Sequence, residues 1–153
     1  PFPTEIHGEV GKMLAKKGAE FGAVTGRPRR TGWFDAVAMR RSIQMNGIVS
    51  LCVTKLDVLD GIDELCICTG YKTSEGIIST MPIFERDKKY KPIYEILPGW
   101  NESTQQVKSW SELPKNAKNY LEKISETIEI PISIVSTGPE RKSIIFLSNP
   151  FLS

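Results

Sequence analysis

The chain predicts an α/β fold of the mixed, α+β kind: a mixed sheet with flanking helices. Three observations predict it. Apolar runs of strand length recur at Ile48 to Val53, Leu65 to Tyr71 and Ile132 to Val135. The segment from Pro114 to Ile128 carries apolar residues at helical spacing, with Lys and Glu on its other side. No internal repeat or low-complexity linker interrupts the 153 residues, a length that buries a real core, so 1-153 is expected to be a single domain.

The elements follow in order. Thr4 is an N-cap for a helix with Ile6, Val10, Met13 and Leu14 on one face, ending near Gly18. Gly8 and Gly11 work against it, at about 1 kcal/mol each relative to Ala. After an Arg-rich loop, a second helix runs from about Phe34 to Asn46, with Gly47 as its stop. Its N-terminus lies just past the loop, where backbone N–H groups and the helix dipole would add to the pull on an anion. A strand from Ile48 to Thr54 delivers Lys55 and Asp57. Leu65 to Tyr71 is another strand, partly paired through a turn at Ser74-Glu75-Gly76 with Ile77 to Met81. Glu85 to Lys91 is a charged, solvated loop. A short strand around Ile93 to Leu97 leads into Pro98-Gly99-Trp100. The last helix runs from about Pro114 to Ile128, with Leu113, Ala117, Tyr120, Leu121, Ile124 and Ile128 along one face and Pro114 in its first turn. Strands Ile132 to Val135 and Ser143 to Leu147 complete the set. Trp33, Trp100 and Trp110 are expected as anchors in the core or in loops.

Composition excludes some functions. Hydrophobic residues make up 40% of the chain, which argues against disorder. The net charge is only +2, and the basic character is local, at Arg27 to Arg30 and Arg40-Arg41. A general nucleic-acid surface would need a broader basic face. Cys52, Cys66 and Cys68 do not have zinc spacing and are expected to be buried reduced thiols. No apolar stretch approaches a membrane span and no signal peptide is evident, so a cytoplasmic location without membrane contact is expected.

Three segments carry chemistry. Thr54-Lys55-Leu56-Asp57 ends an apolar strand with a Lys and, two residues on, an Asp. A carboxylate has only acceptor sites, and guanine offers two adjacent donors, its N1–H and its exocyclic amine. Adenine presents an acceptor in place of N1–H, so the same carboxylate would reject it. Lys55 can lay its methylene stem on the base while its ammonium stays in water. A surface strand ending in Lys-x-Asp is also common without any ligand. Phe21 to Trp33 places Arg27, Arg29 and Arg30 in an irregular loop with Pro28, bracketed by Gly26 and Gly32. Guanidinium forks match carboxylate and phosphate oxygens. The alternatives are a solvated basic loop or a non-specific nucleic-acid contact. Ile134 to Pro139 is a further strand ending in Ser136-Thr137-Gly138, a turn able to aim N–H groups at a ligand oxygen. If the two strands are parallel neighbours, the Asp57 and Ser136 loops meet on one sheet edge, where α/β proteins bind ligands.

Taken together and in order, these segments resemble the C-terminal part of the adenylosuccinate synthetase family. The resemblance rests on Pro1-Phe2-Pro3-Thr4-Glu5, Thr25-Gly26-Arg27 with Arg29-Arg30, Thr31-Gly32-Trp33, and Thr54 through Gly61. It continues in Tyr94-Glu95, Leu97-Pro98-Gly99-Trp100, Ser136-Thr137-Gly138-Pro139 and Asn149-Pro150-Phe151. It implies part of a P-loop-like, GTP-dependent ligase that joins IMP and L-aspartate, with Mg²⁺, to give adenylosuccinate, GDP and phosphate. The family works as a homodimer. In this chain, Ala23, Val24, Thr25, Gly26, Arg27, Pro28 and Arg29 would form the aspartate loop. Arg27 would also touch IMP, and Arg29, Lys55, Leu56, Asp57, Ser136, Thr137 and Gly138 would bind GTP. Pro28 stands where the family usually has a basic residue, so no charge is required there. No phosphate-cradling Gly-rich loop is present. The family's catalytic Asp and His and its Mg²⁺ ligands are expected in a preceding part of the protein, His7 being in the wrong place to substitute. The chain alone is then expected to be inactive. A stand-alone guanine-nucleotide-binding module and, less favoured, a nucleic-acid-binding domain are the alternatives.

Overall fold

The structure is a computed structural model that describes residues 2–80 and 90–149. Pro1, the Met81 end of the strand expected over Ile77 to Met81, residues 85–89 of the charged loop, and Pro150-Phe151 lie outside the described residues. The architecture is mixed α/β, as the apolar runs predict. Helix α1 (Glu9–Lys17) precedes a two-residue strand β1 (Phe34–Asp35) and helix α2 (Ala36–Asn46). Strands β2 (Leu51–Val53), β3 (Ile62–Thr73), β4 (Gly76–Ile78) and β5 (Lys91–Trp100) follow, then α3 (Lys115–Ile128), β6 (Ile132–Ser136) and β7 (Ile144–Phe146).

The strands form two sheets. In the larger, β3 is flanked on one side by antiparallel β5 and on the other by parallel β1 and antiparallel β4. In the smaller, β6 lies between parallel β2 and antiparallel β7. Leu121, Ile124 and Ile128 of α3 pack with Leu65, Ile67, Val135 and Ile145 from both sheets in one core. Each fully buried Leu or Ile contributes about 1.5–3 kcal/mol, so packing rather than intrinsic propensity holds α3 in place.

Several boundaries differ from expectation, each for a local reason. Thr4 does not cap α1: it is 1% exposed, its carbonyl accepts from Trp33 N at 3.0 Å, and Glu5 bridges Gly32. The helix begins only after Gly8, which has no capping side chain. Gly11 is required rather than tolerated, because a Cβ there would lie 2.3 Å from Ile6 O. Phe34-Asp35 is a strand stub, and Asp35 caps α2 by accepting from Ala38 N at 3.0 Å. That carboxylate takes the helix N-terminus that was expected to draw an anion. Gly47, with φ 61°, ends α2 as expected.

The strand expected from Ile48 pairs only from Leu51, and β3 and β5 are each longer than their apolar runs. The strand expected to end near Leu97 therefore continues through Pro98-Gly99-Trp100. Pro98 sits opposite Glu64, and a Cβ on Gly99 would fall 1.6 Å from Ile62 O. Backbone pairing rather than side-chain alternation extends this hairpin. All three cysteines are free, but Cys52 is exposed and Cys66 half-buried, so only Cys68 meets the expectation of burial. Burial, with Asp35 adding a like-charge contribution, pushes the Cys68 thiol up to about 11.

One polar hub joins the sheets to the turn after β2. Asp60 accepts from Trp100 Nε1 at 2.7 Å, Thr104 N at 2.8 Å and Thr104 Oγ1 at 2.8 Å. Thr104 is fully buried and Trp100 nearly so. Losing the acceptor strands three donors away from water, which costs about 1–3 kcal/mol for each that stays unpaired. Asp60→Ala is expected to lower stability by roughly 3 kcal/mol or more. Urea denaturation measures this, and a loss below 1 kcal/mol would show that water replaces the carboxylate.

Candidate functional site

The parallel pairing of β2 with β6 brings two of the three chemical segments together. Val53 aligns with Val135, so both strands end at the same sheet edge. Lys55 N donates to Ser136 Oγ at 3.3 Å, tying the two turns to each other. Lys55 itself is left-handed, at φ 61°, and opens a short 3₁₀ turn over Leu56–Leu59. That conformation costs a non-glycine residue about 1 kcal/mol and turns the chain sharply off the strand.

Within the turn, Leu56 is 1% exposed and belongs to the core, so only its backbone can face a ligand. Asp57 is half-buried, and its Oδ1 is buried without a hydrogen-bond partner among the described residues. Leaving an acceptor in that state costs about 1–3 kcal/mol, and a ligand bearing N–H groups would recover it.

The Ser136-Thr137-Gly138 turn divides between support and contact. Thr137 is fully buried; its hydroxyl donates to Val107 O at 2.8 Å and its N–H to Ser143 O at 2.9 Å. Its donors hold the turn in shape. Ser136 and Gly138 are half-buried, with Ser136 Oγ also 3.4 Å from Gly138 O.

The Arg loop is more ordered than an irregular loop. Phe21 and Pro28 form an antiparallel bridge, Gly22 N donates to Arg27 O at 2.9 Å, and Arg29 N to Glu20 O at 2.9 Å. Pro28 has no N–H to give and fits this hairpin stub without loss. Gly26 N closes the tip on Gly22 O at 2.8 Å, and Thr25 Oγ1 accepts from Arg27 N at 3.4 Å. Ala23 and Val24 are exposed on the tip, Val24 almost completely. Arg29 pairs with Glu20 at 3.3 Å and Arg30 with Glu5 at 3.4 Å. Among the described residues no carboxylate pairs with Arg27, which is exposed. Two of the three guanidinium groups are thus partly neutralised, which weighs against a nucleic-acid surface.

Glu20 connects the loop to the turn after β2, and no pattern in the sequence singles it out. Its Oε1 accepts from Lys55 Nζ at 2.5 Å, and the same ammonium donates to Gly18 O at 2.6 Å. Hydrogen bonding to Lys55 is the largest cause holding the Glu20 carboxyl below the usual range, helped by the Lys55 and Arg29 charges against some burial. Beneath this contact lies a cavity of about 400 Å³ lined in part by Leu14, Arg29, Thr31, Lys55, Tyr120 and Ile124. Asp57 and the Ser136 turn lie outside its lining. No three His, Cys, Asp or Glu side chains converge as a metal site among the described residues, and no helix there is long and apolar enough to cross a membrane.

This geometry defines a class first: a mixed α/β unit with two turns gathered at the C-terminal ends of two parallel strands. The family model described as adenylosuccinate synthetase matches residues 1–145. The adenylosuccinate synthetase of Legionella pneumophila strain Lens is 56% identical over 154 residues, covering 99% of this chain and 36% of its own length. That of Hahella chejuensis is 53% identical over 153 residues, with 99% and 35% covered. A solved structure, described as fully ligated adenylosuccinate synthetase from Plasmodium falciparum, superimposes with a TM-score of 0.91 at 36% identity, covering 97% of this chain and 36% of that one. The chain belongs to the adenylosuccinate synthetase family, and it spans about 35% of the length of the curated relatives it matches.

Two measurements probe the roles described. Thr137→Val removes a buried donor and leaves Val107 O unsatisfied, so stability is expected to fall by about 1–2 kcal/mol in chemical denaturation. The Glu20 contribution has a definite pH sign. Its folded pKa is depressed, so the stability it adds is complete above the ordinary carboxylate range and is lost as pH falls through the lowered value. The stability difference between wild type and Glu20→Gln is therefore expected to be flat near neutrality and to shrink in acid, as read by urea melts at several pH values.

Proposed function

We propose that this chain is the guanine- and aspartate-binding part of a GTP-dependent ligase joining IMP to L-aspartate. The observation that carries the reading is the buried Asp57 Oδ1, without a hydrogen-bond partner among the described residues, in the turn that Lys55 N ties to Ser136. An acceptor held dry at the end of a strand suits the paired N–H donors of guanine and is wrong for adenine. Lys55 supplies its stem as a platform for the base. Ser136 and Gly138 close over the base, while Thr137 holds their turn.

The Arg loop serves the other substrates. Arg27, exposed and without a carboxylate partner among the described residues, receives the aspartate carboxylate and reaches IMP. Ala23 to Gly26 form the tip that folds over the amino acid, and Arg29 at its root faces the GTP side. Catalysis belongs to residues outside this chain. The Mg²⁺ that such a reaction uses finds no donor cluster among the described residues, so none is assigned a metal role. Homodimerisation and a cytoplasmic setting are part of the same proposal.

Asp57→Asn, made in a full-length enzyme carrying this segment, tests the reading. An amide N–H meets the C2 carbonyl of xanthine that a carboxylate repels. Activity with XTP is expected to appear, while kcat/KM for GTP falls on the order of 100-fold or more. Full GTP activity with no gain on XTP would remove Asp57 from base recognition.

A further inference from the structure

Glu20 is the residue through which the base-side turn and the Arg loop touch. Helix α1 ends in a Schellman turn: Ala19 is left-handed at φ 49° and its N–H donates to Lys16 O at 3.2 Å, Glu20 N folds back to Ala15 O at 2.8 Å, and Phe21 N donates to Ala19 O at 2.9 Å. Across from it stands Lys55, also left-handed. Between these two left-handed residues, the Glu20 and Lys55 side chains meet at 2.5 Å. The ammonium also caps the α1 C-terminus through Gly18 O, where the helix dipole favours a cation.

The second Glu20 oxygen pairs with Arg29, whose own N–H donates to the Glu20 carbonyl. Side chain and backbone of one residue therefore grip the root of the Arg loop. Side-chain exposures of 28% for Glu20, 50% for Lys55 and 62% for Arg29 make these pairs poor sources of stability. Their consequence is geometric. With its ammonium tethered away from Asp57, Lys55 can offer only its stem to a ligand beside that carboxylate.

We infer that Glu20 is a positioning residue that couples the base subsite to the Arg loop, holding Lys55 and Arg29 on its two carboxylate oxygens. The inference rests on the guanine reading of Asp57 and adds to it a link between nucleotide and amino-acid binding. A carboxylate is needed because it alone serves two cations. The amide of Gln keeps one acceptor oxygen and turns an NH₂ group toward the second cation.

The test is steady-state kinetics of Glu20→Gln and Glu20→Asp in a full-length enzyme carrying this segment, with melting temperatures alongside. For Glu20→Gln, the KM for GTP and the KM for aspartate are both expected to rise about five- to tenfold, the scale of one lost contact, with kcat within about twofold. The melting temperature is expected to stay within about 2 °C, because the pairs are exposed. Glu20→Asp, which keeps both oxygens, should recover part of both KM values. Unchanged KM values, or a change in only one, would overturn the link. A fall in kcat together with a marked drop in melting temperature would make Glu20 a structural residue and also overturn it. Failure of the guanine reading is distinguishable: Asp57→Asn would then gain no XTP activity, whatever Glu20 variants do. A silent Glu20→Gln beside a switched Asp57→Asn would sink this inference alone.

Discussion

The parallel pairing of β2 with β6 is the constraint on which the candidate site depends. Parallel neighbours end on the same side of a sheet, so whatever follows each strand is delivered to one edge. Here the residues delivered are Lys55 to Asp57 and Ser136 to Gly138, some 80 positions apart in sequence and joined by a 3.3 Å hydrogen bond. An antiparallel β2 would send the first turn to the far side of the sheet. The crossover between the strands contains β3, β4 and β5 of the larger sheet and α3. The core built from those elements is therefore what fixes the register of the two turns.

Around that edge, the fold spends buried polar groups on holding loops still. Asp60 ties the turn after β2 to Trp100 and Thr104; Thr137 ties the second turn to Val107 and Ser143; Asp35 caps α2 and accepts from Tyr71 Oη at 2.5 Å. Burial, then the hydrogen bond to Asp35, raises the Tyr71 hydroxyl well above its ordinary range, so it remains a donor at any physiological pH. Against this background of satisfied groups, Asp57 Oδ1 stands out as the one buried side-chain polar atom without a partner among the described residues. On the proposed reading, that acceptor is met by a donor from outside.

How far the sequence foretold this depends on the kind of signal each residue carried. The helix over Lys115–Ile128 was legible because five buried residues repeat on one face. The end of β2 and the turn after β6 were legible because apolar runs stop abruptly at small or charged residues. Thr4 misled because an N-cap is a local signal, and a tertiary contact with Trp33 outbid it. Gly99 misled because its meaning lies in the strand beside it, where Ile62 O leaves no room for a Cβ. Glu20 gave no signal at all: an acid before a basic loop is ordinary, and only the folding of α1 against the β2 turn makes it a bridge.

The same reasoning explains where strain collects. Of the described non-glycine residues with positive φ, Ala19 and Lys55 flank the Glu20 contact, while Gln106 and Glu129 lie elsewhere, the latter ending α3. Each costs about 1 kcal/mol, and at Glu129 the cost is the ordinary one of stopping a helix. At Ala19 the cost is again that of stopping a helix, α1; at Lys55 no helix needs a left-handed stop, and glycine would be cheaper. Glycine at 55, however, would have no stem to offer a base and no ammonium for Glu20 to hold. On the proposed reading, strain at that position persists because the site uses the side chain it carries, and the packed strand behind it supplies the energy to keep it there.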